Sequence, residues 1–215
     1  MSPQALVFDA YGTLFDVHSV VRQCDAFWPG KGTALSQLWR AKQLEYTWQR
    51  SLMRRYAPFS QVTREALGYA CEALELPLDP ANTEALMQEY LRLSAYPDVP
   101  KALAQFRTRT AILSNGSPDM LEPLVQHSGL KFDAVLSVDA LKVYKPAPEV
   151  YQLAVDRLGV ARQDIGFVSS NCWDALGAKA FGFRVHWINR GQAPVDRLGF
   201  APDAIVGGLG DLVGG

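Results

Sequence analysis

A chain of 215 residues that is 48% hydrophobic can bury a substantial core, and it fits one domain or one domain with a modest insertion. Its 21 basic and 22 acidic residues give a formal net charge of -1, so no overall field attracts a nucleic acid or a membrane surface. No apolar run approaches the roughly 20 residues that span a bilayer. We therefore expect neither nucleic acid nor membrane as a partner.

The cysteines and the first residues bear on the compartment. Cys24, Cys71 and Cys172 are odd in number and widely spaced, and none lies at metal-ligand spacing from a second Cys or a His. This usage predicts ordinary thiols in a reducing compartment. No charged and apolar export signal precedes the first apolar run. We expect a cytoplasmic protein.

The first predicted element is a buried strand over residues 5 to 8, which ends at Asp9 and turns away at Gly12. From about residue 17 to residue 96 the apolar spacing becomes helical. It predicts helices over residues 33–55, 60–74 and 82–93, with Ser60 as the cap of the second. About eighty residues are too long for an ordinary loop, so this block is expected to be an insertion.

After Pro97, strands and helices alternate. Helices are predicted at 99–106, 118–127, 148–158 and 173–181, and strands at 110–113, 134–138, 165–168, 184–188 and 204–206. Such alternation implies right-handed crossovers and a parallel sheet covered on both faces. We predict an α/β fold: a doubly wound, Rossmann-like core of residues 1–16 and 97–215, with a helical cap of residues 17–96 inserted after the first strand.

Polar residues follow four predicted strands, at the edge where the carboxyl ends of parallel strands meet. Each group alone is compatible with a turn, a helix cap or, for the lysine, a solvated surface position. Their convergence predicts a site. The groups are Asp9 with Thr13, Ser114-Asn115-Gly116, Lys145, and Ser169-Ser170-Asn171 with Asp174.

Asp9 is the predicted nucleophile. A carboxylate held in line with an electrophilic carbon in a water-poor site forms a covalent ester, which divides one displacement into two easier steps. An ammonium from Lys145 in the same crevice would keep Asp9 ionised and orient it.

These motifs, together with Leu38 to Trp48 of the predicted cap, resemble the haloacid dehalogenase superfamily and, more narrowly, the L-2-haloacid dehalogenases. The resemblance covers nearly the whole chain. The strand-end motifs are common to the superfamily, whereas the cap stretch is more specific.

Position 11 separates two chemistries within that superfamily. Its phosphatases carry a second Asp there, which acts as general acid and later helps to activate water. This chain has Tyr11 instead, whose usual pKa of roughly 10 suits neither role. Ser169, Ser170 and Asn171 also stand where phosphatases place acids, which leaves Asp174 as the one carboxylate. Magnesium prefers carboxylate and phosphate oxygens. We predict a site without metal or cofactor.

The resemblance also implies individual roles. Arg40 would receive the halide, although from the residues alone it also fits an exposed ion pair with Glu45. Ser114 would bind the substrate carboxylate and Asn115 would assist the halide. Thr13 and Ser169 would hydrogen-bond to Asp9 and orient it, and Tyr151 would lie near Lys145. Asn171 and Asp174 would position the water that attacks the ester. Tyr11, Leu44, Phe59 and Trp173 would form an apolar wall, or equally belong to the general core. Ala41 replaces a glutamine common in relatives, so the pocket lining is expected to differ.

The hypothesis is hydrolysis of short (S)-2-haloacids to (R)-2-hydroxy acids and halide through an aspartyl ester. The resemblance further implies a homodimer formed through cap helices. Two alternatives stay open: a magnesium-dependent phosphatase on the same fold, and a non-catalytic protein that binds small acids.

Overall fold

The computed structural model describes residues 3–213. Its six strands are β1 (Ala5–Phe8), β2 (Arg109–Ser114), β3 (Ala134–Ser137), β4 (Ile165–Ser169), β5 (Arg184–Ile188) and β6 (Ala204–Val206). All pairings are parallel, in the order β3-β2-β1-β4-β5-β6. The chain runs outward from β1 to β3 and then returns to β4 on the other side of β1. The predicted α/β, doubly wound sheet is confirmed, with its switch point at β1.

Eight α-helices accompany the strands within residues 3–213. They are α1 (Val21–Phe27), α2 (Gly32–Leu52), α3 (Phe59–Ala73), α4 (Pro80–Tyr90), α5 (Val99–Leu103), α6 (Pro118–Ser128), α7 (Pro148–Leu158) and α8 (Cys172–Phe181). None of the helices in this part of the chain is long and apolar enough to cross a membrane.

Both faces of the sheet are covered by aromatic packing. On one face Tyr151 of α7 meets Phe167 edge to face, with ring centroids 5.6 Å apart. Phe8 pairs in register with Val168, so it points to the opposite face, where Phe106 and Phe132 pack against it. The strands are therefore nearly continuous apolar runs, as a parallel sheet buried on both sides requires.

Helices α1 to α4 all lie between β1 and β2 in the chain, and they pack mainly on one another. The segments that enter and leave this helical block pair with each other. Asp16 donates its N–H to Ser94 O over 2.8 Å, and Tyr96 donates to Leu14 O over 3.0 Å. The four helices are called the cap below. The division at residues 17 and 96 stays a prediction.

The structure of the cap differs from the sequence prediction at two points. Helix α1 was not predicted, because its seven residues carry too little periodic signal. Ser60 does not cap α3: the helix begins at Phe59 with Pro58 at the capping position. Instead, the N–H of Ser60 donates to the Ser117 hydroxyl of the loop before α6, at 3.2 Å. A free N–H of the first helical turn is thus satisfied from another element.

Candidate active site

Asp9 follows β1 directly and lies at the centre of the sheet's carboxyl edge. Its N–H continues the pairing with β4 by donating to Val168 O over 2.9 Å. Only 6% of the residue is exposed. The central strand of a doubly wound sheet thus delivers a carboxylate to the crevice where such folds bind ligands.

The two oxygens of Asp9 have different partners. Oδ2 accepts from the Thr13 hydroxyl at 2.9 Å and from Asn171 Nδ2 at 2.8 Å. Thr13 is itself fixed, since its hydroxyl oxygen accepts from the Ser170 N–H at 2.8 Å. Oδ1 accepts only from Lys145 Nζ, at 3.1 Å, among the residues described. The carboxylate plane is therefore held through Oδ2, and Oδ1 keeps a lone pair for reaction.

Lys145 lies inside the site and is 1% exposed, so the surface alternative is wrong. Its Nζ lies 3.1 Å from Asp9 Oδ1 and 3.0 Å from Asp174 Oδ2. Burial alone would lower the pKa of Lys145, but the Asp174 and Asp9 carboxylates raise it above its usual value. The lysine is therefore a buried cation between two carboxylates.

Asp174, in the first turn of α8, is fully buried and does not line the cavity described below. Oδ1 accepts from the Tyr151 hydroxyl at 2.8 Å, so Tyr151 and Lys145 contact the same carboxylate. Oδ2 accepts from Lys145 and from the Ser169 hydroxyl, the latter at 3.0 Å. Burial raises the pKa of Asp174 to about 6 although Lys145 acts in the opposite direction.

The expected bond from Ser169 to Asp9 is wrong, because that hydroxyl donates to Asp174 instead. Side chains alternate along a strand, so Ser169 shares the face of Phe167, on which Tyr151 packs. A buried carboxylate without donors would be strongly destabilising, and this face supplies donors to Asp174.

Arg40 of α2 enters the site from the cap. Its Nη1 donates to Gln43 Oε1 at 2.6 Å and its Nη2 to Tyr11 O at 3.3 Å. The alternative pairing with Glu45 is wrong, since Glu45 forms its ion pair with Lys42 at 2.8 Å.

Ala41 is exposed and lies outside the cavity, so the expected change in pocket lining at this position is wrong. Residues three or four apart share a helix face, and this places Gln43 and Leu44, rather than the immediate neighbour of Arg40, on the inner side.

Cap and sheet enclose a small cavity of about 10 Å³, roughly the space for one water molecule. The sequence-predicted site residues that line it are Asp9, Tyr11, Arg40, Leu44, Phe59, Asn115, Asn171 and Trp173. A larger open groove of about 420 Å³ lies beside β3 and contains none of the predicted site residues.

Ser114 and Asn115 close the side of the site that follows β2. The Ser114 hydroxyl accepts from the Gly116 N–H at 3.0 Å, which leaves its own proton to donate. Asn115 Oδ1 accepts from the Lys145 N–H at 3.0 Å. A Cβ on Gly116 would lie 2.7 Å from Tyr11 Cε2, so only glycine lets the tyrosine ring pack here. The Tyr11 hydroxyl is buried without a hydrogen-bond partner in the part of the chain described.

Metal-ligating side chains do not cluster within residues 3–213: no group of three or more His, Cys, Asp or Glu residues could hold an ion there. Between Asp9 and Asp174, the charge that balances the carboxylates is the Lys145 ammonium. The three cysteines are free thiols. A site without metal stays a prediction.

Arg190, which contacts the loops around Asp9, is not among the residues that the sequence predicts for the site. Arg190 donates to the Ser170 hydroxyl at 2.8 Å and to Thr13 O at 3.2 Å, and it stacks 3.8 Å from the centre of the Tyr96 ring. The signal that could have found it is its position: it comes two residues after β5, at the same edge of the sheet as the other groups.

Comparisons with known proteins agree with this geometry. The family model for haloacid dehalogenase-like hydrolases matches residues 3–182. An (S)-2-haloacid dehalogenase of Pseudomonas sp. (strain YL) is 51% identical over 205 residues, covering 93% of this chain and 88% of the relative.

Solved structures of L-2-haloacid dehalogenases are also similar to this chain. The L-2-haloacid dehalogenase RSc1362 superposes with a TM-score of 0.96 at 49% identity, covering 99% of this chain and 98% of that one. A second L-2-haloacid dehalogenase, from Xanthobacter autotrophicus with chloropropionic acid covalently bound, superposes with a TM-score of 0.92 at 45% identity. The match covers 99% of this chain and 97% of that one.

Proposed function

The chain belongs to the haloacid dehalogenase-like hydrolases, and we propose that Asp9, Lys145 and Arg40 are the centre of its carbon–halogen chemistry. The reaction is hydrolytic dehalogenation of (S)-2-haloacids to (R)-2-hydroxy acids and halide. The observation that carries the proposed site is one cavity with the Asp9 carboxylate on the sheet side and the Arg40 guanidinium on the cap side.

The first step is a displacement at carbon. Asp9 Oδ1 forms a bond to C2 of the substrate, and the carbon–halogen bond breaks with its electron pair leaving on the halide. Thr13 and Asn171 hold Oδ2, so the attacking oxygen is pre-oriented. Halide needs no proton to leave, and Arg40 supplies positive charge for it. Attack opposite the halide inverts C2.

The second step is hydrolysis of the ester. Water oxygen adds to Cγ of Asp9, and the Cγ–Oδ1 bond breaks, so Asp9 keeps the oxygen from water. One proton goes to the alkoxide of the product and the other is released. Asn171, which lines the cavity, positions the water. Asp174 acts through Lys145, because its oxygens already accept from Lys145, Ser169 and Tyr151.

The substrate carboxylate binds on the β2 side of the cavity in this proposal. Ser114 has a hydroxyl proton to donate, since its oxygen already accepts from Gly116. Asn115 lies beside the halide and assists Arg40. Tyr11, Leu44, Phe59 and Trp173 surround the substrate's side chain.

Metal independence is supported by the buried ammonium of Lys145, which contacts both carboxylates of the site. A cytoplasmic location is supported by the three free cysteines. A homodimer through the cap is supported by Leu52 and Met53, which are 86% and 61% exposed at the end of α2.

Isotope labelling tests the covalent step. In a single turnover in heavy-oxygen water, we expect the label in Asp9 and not in the hydroxy acid. Label in the product of the first turnover would overturn the ester mechanism. Asp9→Asn should fold normally and release no halide.

A halide-release panel tests the substrate class, the preference for one enantiomer and the independence from metal. We expect chloride from (S)-2-chloropropionate, little from the (R) enantiomer, and no effect of a chelator. Chelator-sensitive release of phosphate from a simple ester would support the phosphatase alternative, and binding without halide release would support the binding-protein alternative.

A further inference from the structure

We propose that Gln43 is a positioning residue that fixes the orientation of Arg40 toward the departing halide. The inference rests on the proposed function, since it presumes that Arg40 receives the halide. Gln43 carries no charge, touches none of the proposed reacting groups except Arg40, and does not line the cavity.

A directional chain of hydrogen bonds fixes the Gln43 amide. The Thr63 hydroxyl donates to Phe59 O at 2.7 Å, so its oxygen is left to accept. Gln43 Nε2 donates to that oxygen at 2.7 Å. The opposite end of the amide, Oε1, then faces Arg40 and accepts from Nη1 at 2.6 Å. Reversing the amide would set the Nε2 donor against the Arg40 donor and the Oε1 acceptor against the Thr63 oxygen, so the orientation is determined.

Packing holds the chain of bonds in place. Gln43 and Thr63 are both fully buried. Trp39 Nε1 donates to Thr63 O at 2.8 Å, which ties α2 to the turn of α3 that carries the hydroxyl. A buried amide with both ends bonded is rigid, and a rotation of Gln43 would leave a buried polar atom unpaired.

An amide suits this position better than a carboxylate. Arg40 is held by two neutral acceptors, Gln43 Oε1 and Tyr11 O, and neither cancels its charge. The guanidinium has five donors in a fixed plane, so fixing two of them also fixes the direction of the others. Arg40 therefore keeps its full charge and a set orientation for the developing halide.

The leaving group provides a readout that general destabilisation would not move. Chloride carries a more concentrated charge than iodide and depends more on Arg40. Gln43→Met removes the acceptor at similar volume. We expect kcat/KM for (S)-2-chloropropionate to fall by about tenfold or more, and that for the 2-iodo analogue by about threefold or less.

The matched control is Gln49→Met on the same helix. Gln49 is exposed and bonds to Glu45 at 2.8 Å, outside the site. We expect both substrates to be unaffected. Equal losses for the two halogens in Gln43→Met would overturn the proposal, because a displaced Arg40 must affect chloride more. No loss would overturn it as well.

A second variant, Gln43→Glu, keeps an acceptor for Arg40 but adds a charge. We expect it to fold and to show the same preference for iodide, because the carboxylate neutralises the guanidinium. Activity on chloride like that of the unaltered protein would contradict the argument for an amide. This variant keeps the proposal testable if Gln43→Met does not fold.

The variant Arg40→Lys distinguishes a failure of the proposed role of Arg40 from a failure of the inference about Gln43. If it retains activity on the chloro substrate, the proposed role of Arg40 fails. If Arg40→Lys loses activity and Gln43→Met does not, only the inference about Gln43 fails. We also expect Gln43→Met to cause little further loss of activity in the Arg40→Lys background, since a guanidinium is then no longer present to orient.

Discussion

Two carboxylates share the Lys145 ammonium, and their surroundings give them different roles. Asp9 lines the cavity and holds Oδ1 ready for reaction, whereas Asp174 is sealed beneath it with both oxygens bonded. Burial raises the pKa of Asp174, the Asp9 charge raises it further, and the shared ammonium of Lys145 only partly offsets these effects. The residue that reacts and the residue that positions are thus distinguished by burial and by donors, not by residue type.

Replacing the shared cation should stop the chemistry. Lys145→Met keeps the volume of the side chain but leaves Asp9 and Asp174 facing each other without a positive charge. We expect kcat to fall by about a thousandfold or more. Lys179→Met is the control, because Lys179 forms its ion pair with the exposed Asp203, at 2.7 Å, rather than with a carboxylate of the site. Halide release measures both, and activity in Lys145→Met near that of the unaltered protein would contradict the assigned role.

The raised pKa of Asp174 makes stability depend on pH with a definite sign. As pH rises from about 4 to about 6, unfolded Asp174 loses its proton while the folded residue keeps it. The folded state then binds more protons, so the contribution of this group to stability falls as pH rises and is fully lost above about 6. Asp174→Asn removes this dependence.

We therefore expect the unfolding free energy of Asp174→Asn, relative to the unaltered protein, to increase by about 3 kcal/mol over this interval. Urea unfolding at about pH 4 and about pH 7 measures the change. A relative stability that does not vary with pH would contradict the prediction.

At the scale of elements, the end of β5 connects the sheet to the cap. Arg190 contacts Ser170 after β4 and Thr13 after β1, and it lies on the ring of Tyr96, where the chain leaves the cap. It also reaches Asp98, at 3.5 Å. Three separate segments around Asp9 are thereby held by one guanidinium, which preserves the bond from Thr13 to the nucleophile.

Arg190→Met should lower activity as well as stability. We expect the free energy of unfolding to fall by about 1–2 kcal/mol, since several charge-assisted hydrogen bonds are lost, and kcat to fall by about tenfold. Arg162→Met is a matched control, because Arg162 likewise donates to a carbonyl, Phe181 O at 3.2 Å, and stacks on an aromatic ring. Arg162 comes just before β4 and therefore lies at the amino edge of the sheet, opposite to the edge that carries Asp9. If both variants retain full kcat, the assigned role of Arg190 is wrong.

At the scale of the whole molecule, the cavity exists only because the cap folds back over the sheet. Arg40, Leu44 and Phe59 come from α2 and α3, and they face Asp9, Asn115 and Asn171 from three strand ends. The paired entry and exit segments at residues 14–16 and 94–96 fix where the cap begins and ends on the sheet. Substrate binding therefore depends on both parts of the molecule at once.

The exposed tip of α2 predicts where two copies meet. Leu52→Glu with Met53→Glu would place charges on that surface, and we expect a dimer to become a monomer in sedimentation velocity. Leu198→Glu is the control, because Leu198 is 61% exposed and lies after β5, outside the cap. A monomeric unaltered protein, or a dimer unaffected by the charges in α2, would contradict the proposed interface.

Local patterns in the sequence determined the sheet and the positions of the reactive groups. Each predicted strand differs from the observed one by at most one residue at either end, because a short apolar run bounded by turns is a local signal. Asp9, Lys145 and Asn171 meet as predicted, since parallel strands bring their carboxyl ends to one edge.

Only the tertiary structure decided which polar side chains pair with one another. The Ser169 hydroxyl donates to Asp174 rather than to Asp9, and Arg40 donates to Gln43 rather than to Glu45. Arg190 also contacts the site, although the sequence did not predict it there. These partners depend on rotamers and packing between elements far apart in the chain, and neither periodicity nor turn chemistry encodes them. The sequence by itself determined where the charges of this site are brought together, and the packing of cap on sheet decided what each of them holds.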